Sequence, residues 1–301
     1  MASLDCLPPE ILQEVLSYLP IPSLLSYGQT SKSNHALQFI ALRSLHLGVF
    51  HTKISSLVSS MTSPRLSVPP PVCIILPRKD TTFKPDVIHA QNQLVRTVIS
   101  RYRTPLRELD LAIWELEEST AEALAGMQNL RRLSLRLDHP HIRHRDVTRR
   151  DWDVATPSTL WNHFKDCFGR LESLVLERSG ITDYQLGQII RHNPRMRELK
   201  LHKCFGLGVE FFEELTRTPV AESLKVFCFT KSDGREIDDR VLEYIGMMPN
   251  LTTLSFYGCE NIDGKKARKL NAEQWHIPDL TLPRSPDSPP SGLIEVDPEY
   301  K

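Results

Sequence analysis

Six short apolar frames held in one register constrain this 301-residue chain more than any other feature. Leu106-x-x-Leu109-x-Leu111, Leu130-x-x-Leu133-x-Leu135, Leu171-x-x-Leu174-x-Leu176, Met196-x-x-Leu199-x-Leu201, Leu224-x-x-Phe227-x-Phe229 and Leu251-x-x-Leu254-x-Phe256 carry apolar side chains at the first, fourth and sixth positions. Their starts lie 24 to 28 residues apart, except that 41 separate residue 130 from residue 171. The second half of each frame alternates with period two, as a strand with one buried face does. Behind four of them come apolar residues at helical spacing: Leu124; Leu186, Ile189 and Ile190; Phe211, Phe212 and Leu215; Val241, Leu242 and Ile245. A strand–helix unit of this size leaves an apolar face open, so the units must stack to close a shared core.

The links after three strands narrow the reading. Gly180-Ile181-Thr182-Asp183, Cys204-Phe205-Gly206-Leu207 and Cys259-Glu260-Asn261-Ile262-Asp263 resemble the turn of cysteine-containing leucine-rich repeats, and the resemblance covers residues 106 to 263. It implies a solenoid with a curved parallel sheet inside and helices outside, over residues 105–270. With the leucines inward, alternation sends the residues between them to the other, concave face. Asp110, Arg132, Arg136, Glu177, Lys200, His202, Thr230 and Tyr257 are the candidates there for holding a protein substrate. Their signs are mixed, which fits a polar peptide-binding surface of no single charge. The long interval holds an insertion at 138–165. Seven arginines fall between Arg131 and Arg150, with His139, His141 and His144 among them, a composition that suits a phosphorylated segment and equally a solvated spacer loop. The three histidines lack the spacing of a zinc site, and no metal or other cofactor is expected.

At the other end, Leu7, Ile11, Leu12, Val15, Leu16 and Leu19 form an apolar stripe along a helix that Pro8 and Pro9 introduce. Pro20 and Pro22 break it, Ser23 is the expected cap of a second short helix carrying Leu24 and Leu25, and Gly28 is its expected stop. So small and apolar a pair needs either the rest of the chain or another protein to cover it. The ordered run Leu7-Pro8-Pro9-Glu10-Ile11-Leu12, Val15-Leu16, Leu19-Pro20, Leu24-Leu25 and Ser31-Lys32 resembles the F-box, the helical module by which substrate receptors dock on the Skp adaptor of cullin-RING ubiquitin ligases. Thr30, Asn34 and His35 depart from the family pattern at its C-terminal end. The resemblance implies a fold that is α followed by α/β, an F-box at 1–41, and docking on Skp through Leu7, Pro8, Pro9, Ile11, Leu12, Val15, Leu16, Leu19, Leu24 and Leu25. It further implies a non-catalytic adaptor that brings a substrate to the ligase. The rival reading is an F-box and repeat scaffold with no part in ubiquitination.

What remains excludes more than it adds. Lysine and arginine number 37 against 37 aspartates and glutamates, so no global field points to nucleic acid or to a membrane surface. Without a signal-like start or a spanning apolar run, the chain is expected to be intracellular, in cytoplasm or nucleus. Six scattered cysteines with no C-x-x-C pair fit reduced, buried thiols. Residues 42–104 read as a linker with irregular first repeat units, including possible strands at Leu42–Leu47 and Val72–Leu76 and a helix over Asp86–Tyr102. Residues 271–301 read as a proline-rich disordered tail, with Ser285 and Ser288 before prolines as possible phosphate acceptors. No catalytic motif is present. His163 and Cys167, four apart, are neighbours on any helix, but Phe164 and Phe168 beside them favour packing over a thiol–base pair.

Overall fold

The structure is a computed structural model that describes residues 7–51, 72–76, 85–137, 158–204, 206–230 and 237–283. It begins with three helices, α1 (Pro9–Ser17), α2 (Ile21–Gly28) and α3 (Lys32–Ala41). Pro8 precedes α1 and Pro9 occupies its first position. Pro20 precedes α2 in the same way and Pro22 occupies its second position, so the prolines open that helix and Ser23, expected as its cap, lies inside its first turn. The first-turn amides of a helix have no partner within it, so a missing N–H costs nothing there. Gly28 ends α2 as expected and lets α3 close on it: a Cβ at that position would come 2.7 Å from Gln38 Oε1. Ser31 caps α3, its Oγ accepting the Asn34 N–H at 3.0 Å.

Every described strand joins one parallel sheet of nine. The six frames supply β3 (Glu108–Ile113), β4 (Arg132–Leu137), β5 (Ser173–Glu177), β6 (Glu198–His202), β7 (Val226–Thr230) and β8 (Thr253–Ser255). At one edge come β1 (Ser44–His51) and, outside it, β2 (Val72–Leu76); at the other comes β9 (Asp279–Thr281). Leu109, Leu133, Leu174, Leu199, Phe227 and Leu254 stand in one row across the strands, all buried. The register is set by a repeated junction. The Arg107 carbonyl accepts from the Arg131 and Arg132 amides at 2.7 and 3.0 Å, and the carbonyls of Arg43, Arg131, Glu172, Arg197 and Lys225 each take a corresponding pair.

The connections carry α4 (Pro85–Tyr102), α5 (Glu118–Ala125), α6 (Asp183–His192), α7 (Val209–Thr216), α8 (Val220–Ser223), α9 (Val241–Ile245) and α10 (Gly264–Leu270). A capping box opens α6: Thr182 Oγ1 accepts the Gln185 N–H and Gln185 Oε1 accepts the Thr182 N–H. One buried cluster runs from Leu12 to Ile277, with Phe212 packed edge-on against Phe211 and Phe227 and tilted against Phe229 and Phe256, at centroid distances of 5.5–6.3 Å.

The strands and the helix expected ahead of the six frames are present, and two other expectations change. The region from 42 to 104 supplies β1, β2 and α4, and β1 hydrogen-bonds directly to β3 over Ser44–Gly48, so this stretch continues the sheet. The end of the insertion is also structural. A 3-10 helix, Ser158–Phe164, packs against both α5 and α6, with Trp161, Phe164 and the following Phe168 buried. The expected tail is ordered as far as residue 283: Asn271 clamps Ile277 through two hydrogen bonds of 2.8 and 3.1 Å, and β9 then pairs with β8. Arg143, Arg145, Arg149, Arg150, the three histidines of the insertion, Ser285 and Ser288 lie outside the described residues.

Candidate interaction surfaces

Helix α1 carries two apolar stripes one residue out of phase. Leu12 and Leu16 are 5 % and 2 % exposed and, with Leu24 of α2 at 2 %, belong to the core. Ile11 and Val15 are 52 % and 42 % exposed, and Leu7, Leu19 and Leu25 extend that outer stripe at 36–41 %. The sequence places all ten residues on one docking face; the structure divides them. Leu12, Leu16 and Leu24 face inward because α3 packs on α1 and α2 and supplies the apolar cover that a bare helical pair lacks. Leu7, Ile11, Val15, Leu19 and Leu25 form the accessible part, and Tyr18, 79 % exposed, lies beside them, an aromatic the sequence reading passed over. Pro8 sets the angle at which Leu7 meets the helix. Single exposed apolar residues are ordinary on a protein surface, but five along one helical pair form a face that water covers poorly.

The sheet's second surface is built differently. Opposite the leucine rows, strand register sets Asp110, Ser134, Val175 and Lys200 in one line and Ala112, Arg136, Glu177, His202 and Thr230 in the next. Most of the charges on it meet a neighbour across the strands. His46 Nδ1 lies 3.3 Å from Asp110 Oδ2, Arg132 reaches Glu198 at 3.3 Å, and Arg136 reaches Glu177 at 3.6 Å. Lys200 also pairs with Glu198, which accepts from Ser173 Oγ at 2.7 Å, and His202 Nδ1 meets Thr230 Oγ1 at 2.7 Å. Burial pushes the Glu198 carboxyl up, but hydrogen bonds from Lys200 and Ser173 and the charges of Lys200 and Arg132 outweigh it, leaving the group below its ordinary value. Burial likewise opposes ionisation of Asp110, and hydrogen bonds from His46 and Ser134 overcome it. The hydrogen bond to Asp110 holds the His46 imidazole above its usual range. Seven of the eight candidates thus occupy one face on β3 to β7, and Tyr257, half-buried, follows β8.

Two cysteines serve the turns. Cys204 Sγ lies 3.1 Å from Ser179 Oγ and 3.6 Å from the Leu176 carbonyl one strand back, while Cys259 Sγ donates to the Phe229 carbonyl at 3.2 Å. Burial pushes the Cys204 thiol up to about 11. Cys167 and His163 do not form a thiol–base pair: the thiol donates to the His163 backbone carbonyl at 3.1 Å, and the imidazole faces Glu118 at 3.5 Å. Burial and the charge of Asp166 raise the Cys167 thiol, opposite to what a nucleophile requires. Among the described residues no group of three or more His, Cys, Asp and Glu side chains is placed to hold a metal ion, and no helix is long and apolar enough to cross a membrane.

Comparison with known families matches residues 4–40 to the F-box-like model. The match contains α1, α2 and nearly all of α3, and it includes the whole outer apolar stripe. F-box domains generally bind the Skp adaptor. No curated protein matches the chain. The chain therefore carries an F-box-like helical region followed by a parallel α/β sheet.

Proposed function

We propose that this chain is the substrate-recognition subunit of a Skp-cullin-F-box ubiquitin ligase, with the F-box-like helices on the Skp adaptor and a leucine-rich-repeat solenoid holding a protein substrate. The observation that carries the reading is the outer stripe Leu7, Ile11, Val15, Leu19 and Leu25, exposed within the segment that matches the F-box-like model. In this reading Leu12, Leu16 and Leu24 hold the helices in place from behind. The repeat assignment is supported by six frames in one register and by a junction hydrogen bond that recurs from strand to strand. The open sheet face, with Asp110, Arg132, Arg136, Glu177, Lys200, His202 and Thr230, is the substrate-binding surface, and Tyr257 lies at its end. The chain supplies no chemistry itself; tethering raises the effective concentration of the substrate near the ubiquitin-charged conjugating enzyme.

The test is co-purification of the chain with the Skp adaptor and cullin, comparing wild type with the exposed-face pair Ile11→Asp, Leu25→Asp. Because both residues already face solvent, the variant should keep its circular dichroism spectrum and lose Skp. Skp captured without any ubiquitination of bound proteins would favour the scaffold reading, and a wild type that captures no Skp would overturn the docking assignment.

A further inference from the structure

The N-terminal rim of the sheet carries a charge asymmetry that the chain's neutral balance conceals. The residues whose carbonyls set the strand register are Arg43, Arg107, Arg131, Glu172, Arg197 and Lys225, in successive positions across the sheet from β1 to β7. Arg170 joins them, bound through Nη1 to Asn129 Oδ1 at 3.3 Å. Among the described residues two carboxylates answer these six cations: Glu14 pairs with Arg43 at 3.4 Å and Glu172 with Arg131 at 3.7 Å. Arg43, Arg131, Arg170, Arg197 and Lys225 are exposed. Arg107 turns to the Thr104 and Leu106 carbonyls instead of a carboxylate. Burial lowers its guanidinium, and the like charges of Arg131, Arg43 and Arg170 lower it further, which shows how closely the row is set. The open sheet face next to it, by contrast, is largely neutralised by its own ion pairs.

We infer that this rim is a docking strip for an extended acidic segment of a protein partner, lying across the strand ends. At about 4.8 Å per strand the row from β1 to β7 spans roughly 24 Å, the length of about seven extended residues. Alternate carboxylates of such a segment fall within reach of successive arginine side chains, whose planar forks suit carboxylates. The linear spread suits a run of charges better than a single anion, which calls for converging donors. Nucleic-acid binding generally rests on a strongly basic domain, whereas this chain carries 37 cations against 37 anions. The inference does not depend on Skp docking, because the rim belongs to the sheet.

The experiment is fluorescence anisotropy of a labelled heptaglutamate peptide titrated with the full chain at low ionic strength, beside a heptalysine peptide and a single-stranded DNA oligomer of similar length. Wild type should bind heptaglutamate with an affinity that falls as salt rises, and should ignore heptalysine. The exposed triple variant Arg131→Glu, Arg197→Glu, Lys225→Glu should weaken binding by at least roughly tenfold, and Lys269→Glu, on α10, should leave it unchanged. A serine set at the same three positions removes charge without adding any and guards against a fold disturbed by the reversal. Failure of wild type to bind heptaglutamate, or unaltered binding by the folded triple variants, overturns the inference. DNA bound as tightly through the same three residues overturns the assignment to a protein segment.

Discussion

Lys203 follows β6 with φ at 53°, and Arg178 follows β5 with φ at 57°; the corresponding residue after β8 is Gly258, at 73°. The turn thus demands a left-handed residue at the same place in three units, and two of them meet it with side chains that disfavour it. That conformation costs a residue with a Cβ about 1–2 kcal/mol, and the extra freedom glycine loses on folding returns part of the gain. Lys203→Gly should therefore raise stability by about 0.5–1 kcal/mol, seen as a higher urea midpoint at unchanged slope; a lower midpoint would show that the lysine contributes more than its backbone costs. Glu115 offers a second test. Burial, then the charge of Glu117, push its carboxyl from 4.5 up to about 6. A group raised in the folded state stabilises below its unfolded value and loses that contribution as pH rises through the folded one. Wild type should thus lose stability relative to Glu115→Gln between about pH 4.5 and 7, leaving the variant ahead at pH 7 by about 1 kcal/mol once solvent screening is allowed for. Unfolding midpoints measured across that range give the sign directly, and parallel curves for the two proteins would refute it.

Among elements, what the sequence reveals depends on how local the deciding force is. The strands were legible because alternation and spacing fall within six residues, and the first turn of α1 because proline acts through its own ring. The α2 boundary misleads since one residue type both breaks and begins helices; Pro22 takes the second role where the chain turns at Leu19. The split of the α1 stripe was beyond local reading. Leu12 and Ile11 are equally apolar, and only the arrival of α3 decides which is covered. The same holds for the 3-10 helix at Ser158–Phe164, which has no frame of its own and is ordered by burying Trp161 and Phe164 between α5 and α6. As for the interaction surfaces, periodicity delivers residue positions but not charge pairing. That Arg132 and Lys200 converge on Glu198 requires the register of three strands, and the cationic rim requires the register of six.

At the scale of the whole molecule, the apolar core is continuous from the F-box-like helices to β9, joining Leu12, Leu16 and Leu24 to the sheet through Ala41, Leu42 and Leu45. Long stacks of repeated units tend to lose cooperativity because each unit contacts its neighbours alone. A shared core spanning the helical start argues for one transition here. Two substitutions at opposite ends test this. Leu16→Ala opens a cavity beneath the first helices and should cost about 2–5 kcal/mol, and Phe212→Ala, in the centre of four other phenylalanines, about 3–5 kcal/mol. All four tryptophans, Trp114, Trp152, Trp161 and Trp275, come after the first three helices in sequence, so tryptophan emission reports the chain beyond them. If the core unfolds as one, Leu16→Ala shifts the tryptophan transition and the helical circular dichroism transition by the same denaturant interval, and the double variant shows nearly the sum of the two costs. If the first helices unfold separately, Leu16→Ala leaves tryptophan emission at its wild-type midpoint while part of the helical signal is lost early. The sheet would then be stable without the F-box-like region.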